Sequence, residues 1–158
     1  WSNCMARRVA RWYTTTGQLA YWYKWSYVPS GPNGKGLAHH SVEQPFVFHV
    51  LSETDEQRRE DGGKYSIAAH ESHFSEQLVR AWSAMASSGN PNAARRGVGW
   101  PSFNQSDGGS ALRIDGGEGS PAAFRAAHAF LEAKCTLFDK VFFERRGPPK
   151  MVRPRHQP

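Results

Sequence analysis

The stretch that decides the fold is Leu19-Ala20-Tyr21-Trp22-Tyr23-Lys24-Trp25-Ser26-Tyr27-Val28. Such a density of aromatic residues favours a β-strand, because bulky rings fit a pleated surface. Large side chains stand at both odd and even positions, so the strand is predicted to be central and covered on both faces. A central strand needs a partner on each edge, since buried unpaired backbone groups are costly. The sequence offers only weak candidates for these partners, which indicates one part of a larger sheet.

Helices are predicted before and after this strand. Residues Cys4 to Trp12 mix small, basic and apolar side chains in a pattern that favours a helix. Residues Ser75 to Ser88 carry apolar side chains at the spacing of one helical face, and Gly89 is placed to end that helix. The apolar positions of this second helix are Leu78, Trp82 and Met85.

The C-terminal part of the sequence is predicted to hold two short strands and a long helix. The strands are Trp100 to Phe103 and Ala111 to Ile114, with a turn rich in Gly, Ser and Asp between them. Pro121 can begin a helix, because the N–H groups of the first helical turn have no partner within the helix and the N–H that proline lacks is not needed there. Apolar steps of three and four then predict a helical face made of Phe124, Ala127, Leu131, Cys135, Phe138 and Phe142.

Length and composition limit the class of protein. The chain has 158 residues, enough for one domain, and its 39% hydrophobic content favours a packed core over disorder. It contains no run of about eighteen apolar residues, so no membrane span is predicted. The net charge of +6 comes from scattered basic residues with acids between them, which does not indicate nucleic-acid binding. The chain begins at Trp1 without a methionine, and we interpret it as a processed or truncated product.

Two cysteines, Cys4 and Cys135, stand near opposite ends of the chain. Their number alone allows either two buried thiols or one disulfide. A bridge would close a long loop, worth about 5 kcal/mol by chain entropy, and would indicate an oxidising compartment. Asn104-Gln105-Ser106 is a sequon for N-glycosylation, which agrees with a secreted or lumenal protein.

Four motifs follow the aromatic strand in a fixed order. They are His40-Ser41-Val42-Glu43-Gln44-Pro45-Phe46-Val47-Phe48, Trp82-Ser83-Ala84-Met85-Ala86-Ser87-Ser88-Gly89-Asn90-Pro91-Asn92, Trp100-Pro101-Ser102-Phe103 and Cys135-Thr136-Leu137-Phe138-Asp139. Together they resemble the C-terminal part of the type-B carboxylesterase/cholinesterase family, beginning with its catalytic-histidine segment. The sequence departs from that family at Ser41, which stands directly after the histidine where glycine is frequent, and at Leu37, where glycine is usual.

The resemblance implies the α/β class, with residues 1–146 forming the C-terminal portion of one α/β-hydrolase domain. This portion would comprise a sheet strand, the histidine loop, helices and a long C-terminal helix. An upstream segment or a companion chain would complete the domain. The resemblance also implies that Cys4 pairs with Cys135. Residues 147–158 are predicted to be a basic, proline-rich tail.

The chemistry implied by the resemblance is hydrolysis of a small carboxylic ester through an acyl-enzyme. Such enzymes use a serine, an acid and a histidine, in that chain order in α/β-hydrolases. The sequence has no Gly-x-Ser-x-Gly elbow, so only the histidine is expected here and the chain alone should be inactive. Matching Glu43 and Phe46 to the family motif assigns the general base to His40 and not to His39. Glu43 is given a structural role, linking this loop to the rest of the domain.

No cofactor or metal is expected. His70 and His73 have the spacing of one helical face, but two histidines without a third ligand make a poor zinc site. The main alternative to an enzyme is a cholinesterase-like domain that keeps the fold as a non-catalytic binding or adhesion module. A structural subunit of a larger assembly is a further possibility. The presence of His40 favours the enzyme, because non-catalytic members often lose residues of the triad.

Overall fold

The structure is a computed structural model, and it describes residues 2–30, 38, 40–50, 67–94, 96–117 and 120–143. His39, Leu37 and the predicted tail 147–158 therefore lie outside the described residues. Four helices and three strands occur in the described ranges, with short 3₁₀ turns at Ala69–Glu71 and Gln105–Asp107. In chain order the elements are α1 (Ser2–Thr15), β1 (Tyr23–Trp25), α2 (Gln44–Val47), α3 (Ser72–Ser88), β2 (Ala111–Gly117), β3 (Ser120–Ala127) and α4 (Glu132–Phe142).

The three strands form one mixed sheet in the order β1-β2-β3. Strand β1 runs parallel to β2, with Lys24 opposite Arg113, and β2 and β3 form an antiparallel hairpin. Strand β2 lies in the middle of the described sheet. It alternates its backbone hydrogen bonds between its two neighbours, and its side chains Leu112 and Ile114 are fully buried in the main core.

The aromatic stretch that includes β1 is covered on both faces, as its sequence predicts. On one face Tyr23 packs edge-on against Trp82, at 5.2 Å between ring centroids. On the other face Trp22 is buried in a second apolar cluster with Ala10 and Phe103. The regular strand is only three residues long, although isolated bridges at Tyr21 and Val28 extend its contacts. In the described part of the chain, β1 pairs with a strand on one edge only.

The prediction of a long C-terminal helix from Pro121 is wrong. Residues Ser120–Ala127 form strand β3, and helix α4 covers only Glu132–Phe142. Alanine-rich sequence has high helix propensity, but pairing with β2 outweighs that local preference. Leu131 has a positive φ of 57°, which separates the hairpin from the helix that follows.

The prediction of a strand at Trp100 to Phe103 is also wrong. Only Ser102 makes a bridge there, to Tyr21, and no regular strand forms over these residues. Trp100 is instead held by its neighbours, since Asn92 bonds both its backbone N–H and its C=O, at 2.8 and 2.6 Å. The segment therefore serves the core through the buried Trp100 ring rather than through the sheet.

Helix α3 begins at Ser72, before the predicted start at Ser75, and ends at Ser88 as the sequence predicts. Gly89 adopts the left-handed conformation that ends many helices, with φ of 70°. The predicted apolar face is correct for Leu78, which is fully buried, but Met85 is 39% exposed. The buried face turns instead through Phe74, Leu78, Ala81 and Ala84. No helix within the described ranges is long and apolar enough to cross a membrane.

A disulfide joins Cys4 of α1 to Cys135 of α4, and both cysteines are buried. Their Cα atoms are 5.0 Å apart. Arg8 adds a second connection between the two helices. It pairs with Asp139 at 3.2 Å, and its guanidinium lies 3.7 Å from the centre of the Phe143 ring. The first and last described helices are thus held side by side, and a disulfide is typical of an oxidising compartment.

Candidate functional site

His40 lies on an exposed turn between β1 and α2. The turn closes where the backbone N–H of Gln44 donates to the carbonyl of Ser41, at 3.2 Å. Pro45 stands in the first turn of α2, where its missing N–H has no cost. Phe46, only 1% exposed, then inserts into the aromatic core against Tyr27 and Phe74. His40 therefore lies at the surface, on a turn that the buried Phe46 ring anchors to the core.

Ser41, the residue directly after His40, has a positive φ of 66°. This left-handed region disfavours residues with a Cβ, and serine here adopts it without the freedom of glycine. Serine in place of the glycine that is frequent here therefore costs conformational energy, although the turn keeps its shape. His49, at the end of α2, also has a positive φ, of 53°, and its Nδ1 lies 2.8 Å from the Ser75 hydroxyl.

A cleft of about 820 Å³ opens beside the histidine turn. Residues of α1, including Val9 and Tyr13, form one wall, and residues 21–25 of the aromatic stretch form another. His40, Ser41 and Glu43 line the cleft from the turn. The cleft thus combines an apolar wall with an imidazole and a carboxylate, a mixture typical of small-molecule sites.

One edge of β1 faces away from the rest of the described sheet. Trp22 accepts a backbone hydrogen bond from Leu112, and Ser26 donates one to Ile114, so the even-numbered residues pair with β2. Backbone groups alternate in direction along a parallel strand, and those of Tyr23 and Trp25 therefore point to the opposite edge. Both of these residues line the cleft. Among the described residues, no strand pairs with this edge.

Glu43 and Tyr23 interact electrostatically within the cleft. Burial, and next the negative charge of Glu43, raise the pKa of the Tyr23 hydroxyl above its usual value. The phenol therefore stays protonated and neutral at physiological pH. Within the described part of the chain, the Glu43 carboxylate makes no side-chain hydrogen bond or ion pair. The predicted structural link from Glu43 to the rest of a domain remains a prediction.

A buried carboxylate, Glu71, connects the residues that follow β1 to the start of α3. It accepts hydrogen bonds from the Tyr27 hydroxyl at 2.9 Å, the Ser30 N–H at 2.7 Å and the Ala68 N–H at 2.9 Å. Sequence reasoning did not identify this residue. The available signal was an acid at the start of a helix, which often reaches back to a backbone N–H. Its longer-range partners, Tyr27 and Ser30, could not be predicted from that pattern.

The other predicted site residues lie apart from the cleft. His70 is exposed, and its Nε2 lies 2.8 Å from the Ser30 hydroxyl, while His73 is exposed on α3. Asn104 is exposed on the 3₁₀ turn before β2. Within the described ranges, no group of three or more His, Cys, Asp or Glu side chains could hold a metal ion.

A second cluster contains Ser110, Asp107 and His128 but lacks the geometry of a catalytic triad. The Ser110 hydroxyl donates to Asp107 at 2.6 Å, and His128 Nδ1 lies 3.0 Å from the same carboxylate oxygen. A nucleophilic serine would instead donate to the far ring nitrogen, with the acid on the other side of the imidazole. Ser110 is also buried. The cluster therefore joins the turn before β2 to the end of β3, and we assign it no catalysis.

A family model described as the carboxylesterase family matches residues 2–135, which include α1, the histidine turn, α3, the hairpin and both cysteines. No curated protein matches the chain.

Proposed function

Since the chain belongs to the carboxylesterase family, whose fold is the α/β-hydrolase, we propose that it supplies the general-base histidine of a carboxylic-ester hydrolase. The observation that carries this proposal is the position of His40. It stands on a turn anchored by Phe46, and it lines a cleft with both apolar and polar walls. A general base needs this combination of a fixed backbone and access to a bound substrate.

The proposed reaction follows the serine-esterase scheme. His40 takes the proton from a serine hydroxyl as the serine oxygen attacks the ester carbonyl. His40 then gives that proton to the leaving alcohol, and a water molecule, activated in the same way, releases the acid. An acid side chain would hold the imidazole in the correct orientation. The serine, the acid and the oxyanion donors would come from an upstream segment or a companion chain.

The cleft is where this remainder of the hydrolase would dock. An extended strand beside β1 would satisfy the outward backbone groups of Tyr23 and Trp25. Val9 and Tyr13 of α1 are about half exposed and line the same cleft, so docking would also bury apolar surface. The Glu43 carboxylate would find its hydrogen-bond donor on the docked part. The small ester would then bind between the two parts, next to His40.

The test is labelling with a fluorophosphonate probe, which reacts with the activated serine of serine hydrolases. It uses the protein together with its upstream segment, as wild type and as His40→Gln. His73→Gln is the matched control, because His73 is an exposed histidine that does not line the cleft. We expect labelling of a serine outside residues 1–158 in the wild type and the control. In His40→Gln, labelling should be lost and kcat/KM for esters should fall by about 10³-fold or more.

Two results would contradict the proposal. Full labelling and activity in His40→Gln would show that another residue is the base. A folded, complete wild-type protein that takes no label would favour the alternative, a non-catalytic binding module or structural subunit that retains the fold.

A further inference from the structure

The structure assigns Asn104 as the attachment site of an N-linked oligosaccharide. Asn104-Gln105-Ser106 is the one Asn-x-Ser/Thr sequence in the 158 residues, and its middle residue is not proline. This inference concerns a surface away from His40, and it holds or fails independently of ester hydrolysis. Three features of the folded chain support it: the exposure of the sequon, the hydrogen bonding of Asn104, and the rigidity of its turn.

All three residues of the sequon are exposed. The oxygen of the Asn104 side chain accepts hydrogen bonds from the Ser106 N–H at 3.0 Å and from the Ser106 hydroxyl at 2.8 Å. None of the described hydrogen bonds uses its amide nitrogen, Nδ2. Modifying that nitrogen would therefore break none of the described hydrogen bonds of this exposed residue.

The turn that carries Asn104 is fixed from behind. The Asn104 carbonyl accepts a hydrogen bond from the Gly109 N–H at 2.9 Å, and the Asp107 carbonyl accepts one from the Ala129 N–H at 3.0 Å. The Asp107 carboxylate holds Ser110 and His128 as described above. These contacts connect the two ends of the β2–β3 hairpin and fix the backbone of the turn. A glycan at Asn104 would be attached to a hydrogen-bonded turn at one end of the sheet.

The location keeps a glycan out of the proposed site. No residue from 104 to 110 lines the cleft, and none of the other asparagines begins an Asn-x-Ser/Thr sequence. Asn3 lines the cleft, and both polar groups of the Asn92 side chain form hydrogen bonds with the backbone of Trp100. The disulfide between Cys4 and Cys135 is typical of the oxidising compartments that secreted proteins pass through, which are also where N-glycans are added.

The transfer is a substitution at the anomeric carbon of the first sugar, and no oxidant or reductant is needed. The donor is an oligosaccharide linked to a lipid pyrophosphate. A bond forms between Asn104 Nδ2 and the anomeric carbon, and the bond from that carbon to the pyrophosphate oxygen breaks. The lipid pyrophosphate leaves with the electron pair, and the amide nitrogen loses one proton to a base of the transferase.

The experiment expresses the protein from its complete coding sequence in a eukaryotic secretory cell. Four forms are compared: wild type, Asn104→Asp, Ser106→Ala and Ser106→Thr. Asn104→Asp is the matched structural control, because its carboxylate can still accept both hydrogen bonds from Ser106 but offers no amide. Ser106→Thr keeps the sequon and the hydroxyl, whereas Ser106→Ala removes both. The readouts are gel mobility before and after peptide-N-glycosidase, and mass spectrometry of the peptide that contains residue 104.

We expect the wild type and Ser106→Thr to carry one glycan more than Asn104→Asp and Ser106→Ala. Enzymatic release should leave an aspartate at position 104 in the first two forms. Asn104→Asp should reach the medium in a folded state, since the turn keeps its hydrogen bonds. A wild-type protein whose peptide around residue 104 is entirely unmodified would overturn the inference, whether or not the protein hydrolyses esters.

Discussion

The Tyr27 hydroxyl donates a hydrogen bond to the Glu71 carboxylate at 2.9 Å, across 44 residues of sequence. The carboxylate is only 1% exposed, and it also holds the Ser30 N–H at the end of the aromatic stretch. A buried charge is tolerated only where hydrogen bonds replace the water that it has lost. Glu71 therefore holds Tyr27 and Ser30, which follow β1, at the start of α3.

Replacing Glu71 with glutamine should destabilise the fold by about 2–4 kcal/mol, because one acceptor oxygen becomes an NH₂ group that faces a donor. Denaturant unfolding followed by tryptophan fluorescence measures the change. Glu76→Gln, in the helix that follows Glu71, is the control. Its carboxylate is 47% exposed and pairs with Arg80, and removing such an i,i+4 pair should cost only about 0.3–0.5 kcal/mol. Equal losses in the two variants would refute the role given to Glu71.

Ser41→Gly should stabilise the protein by about 0.5–1 kcal/mol. The left-handed backbone of Ser41 carries a Cβ penalty of about 1–2 kcal/mol, and the greater entropy of glycine in the unfolded chain offsets about half of it. Thermal unfolding of wild type and variant gives the difference. Ser41→Ala keeps the Cβ and should show no gain, and a gain in that variant would place the effect elsewhere than in the backbone.

Gly117→Ala should cost about 3 kcal/mol or more, since it combines backbone strain with overpacking. Gly117 has a φ of 98°, and a Cβ there would collide with the backbone of Val28. That contact is the bridge that continues the β1–β2 pairing. Gly89→Ala is the comparison, because its φ of 70° carries similar strain but a Cβ there meets open space. It should cost only about 1 kcal/mol by urea denaturation. A Gly117 variant no less stable than the Gly89 variant would argue against the clash.

The cluster of Asp107, Ser110 and His128 should make stability depend on acid pH. The hydrogen bond from Ser110 is the main cause that lowers the pKa of Asp107, and His128 and the Gly109 N–H add to it. A folded-state pKa below the unfolded value gives stability that is complete above the unfolded pKa. That stability is lost as the pH falls through the folded pKa. The loss should therefore begin near the ordinary aspartate value, about pH 3.9, and continue below it.

The measurement is the melting temperature of wild type and Asp107→Asn between pH 6 and the acid limit of folding. The wild type should lose its advantage over the variant as the pH falls through this window. A constant difference between the two proteins at all pH values would rule out this linkage. Ser110→Ala should reduce the pH dependence, because it removes the largest cause of the lowered pKa.

Parts of the fold that depend on local pattern could be predicted from the sequence. The spacing around Leu78 and the stop at Gly89 identify α3, and aromatic side chains on both faces identify the stretch around β1. The sequence predicts the first strand of the β2–β3 hairpin but not the second. Phe124 and its alanine neighbours fit a helical face, and only pairing with Ile114 makes them a strand. That pairing is a tertiary preference, which outweighs local propensity.

Only part of the candidate site corresponds to a motif in the sequence. The motif selects His40, and the resemblance relates Cys4 to Cys135. Neither indicates the cleft, because α1 and residues 19–25 contribute most of its lining. Glu71 was missed for a similar reason. Its carboxylate acts on Ser30 and Tyr27, more than 40 residues away along the chain. Contacts at such distances leave no pattern in a single sequence.

The disulfide between Cys4 and Cys135 has a consequence for how a cleaved form of this protein would behave. The two cysteines are separated by 131 positions, so nearly all of the described chain lies inside one covalent ring. A protease that cuts a single peptide bond inside this ring produces two polypeptides that stay joined through sulfur. Such a nicked molecule keeps its mass on a non-reducing gel, and only a reducing agent reveals the cut. Tissue preparations that look intact without reductant can therefore contain a two-chain form.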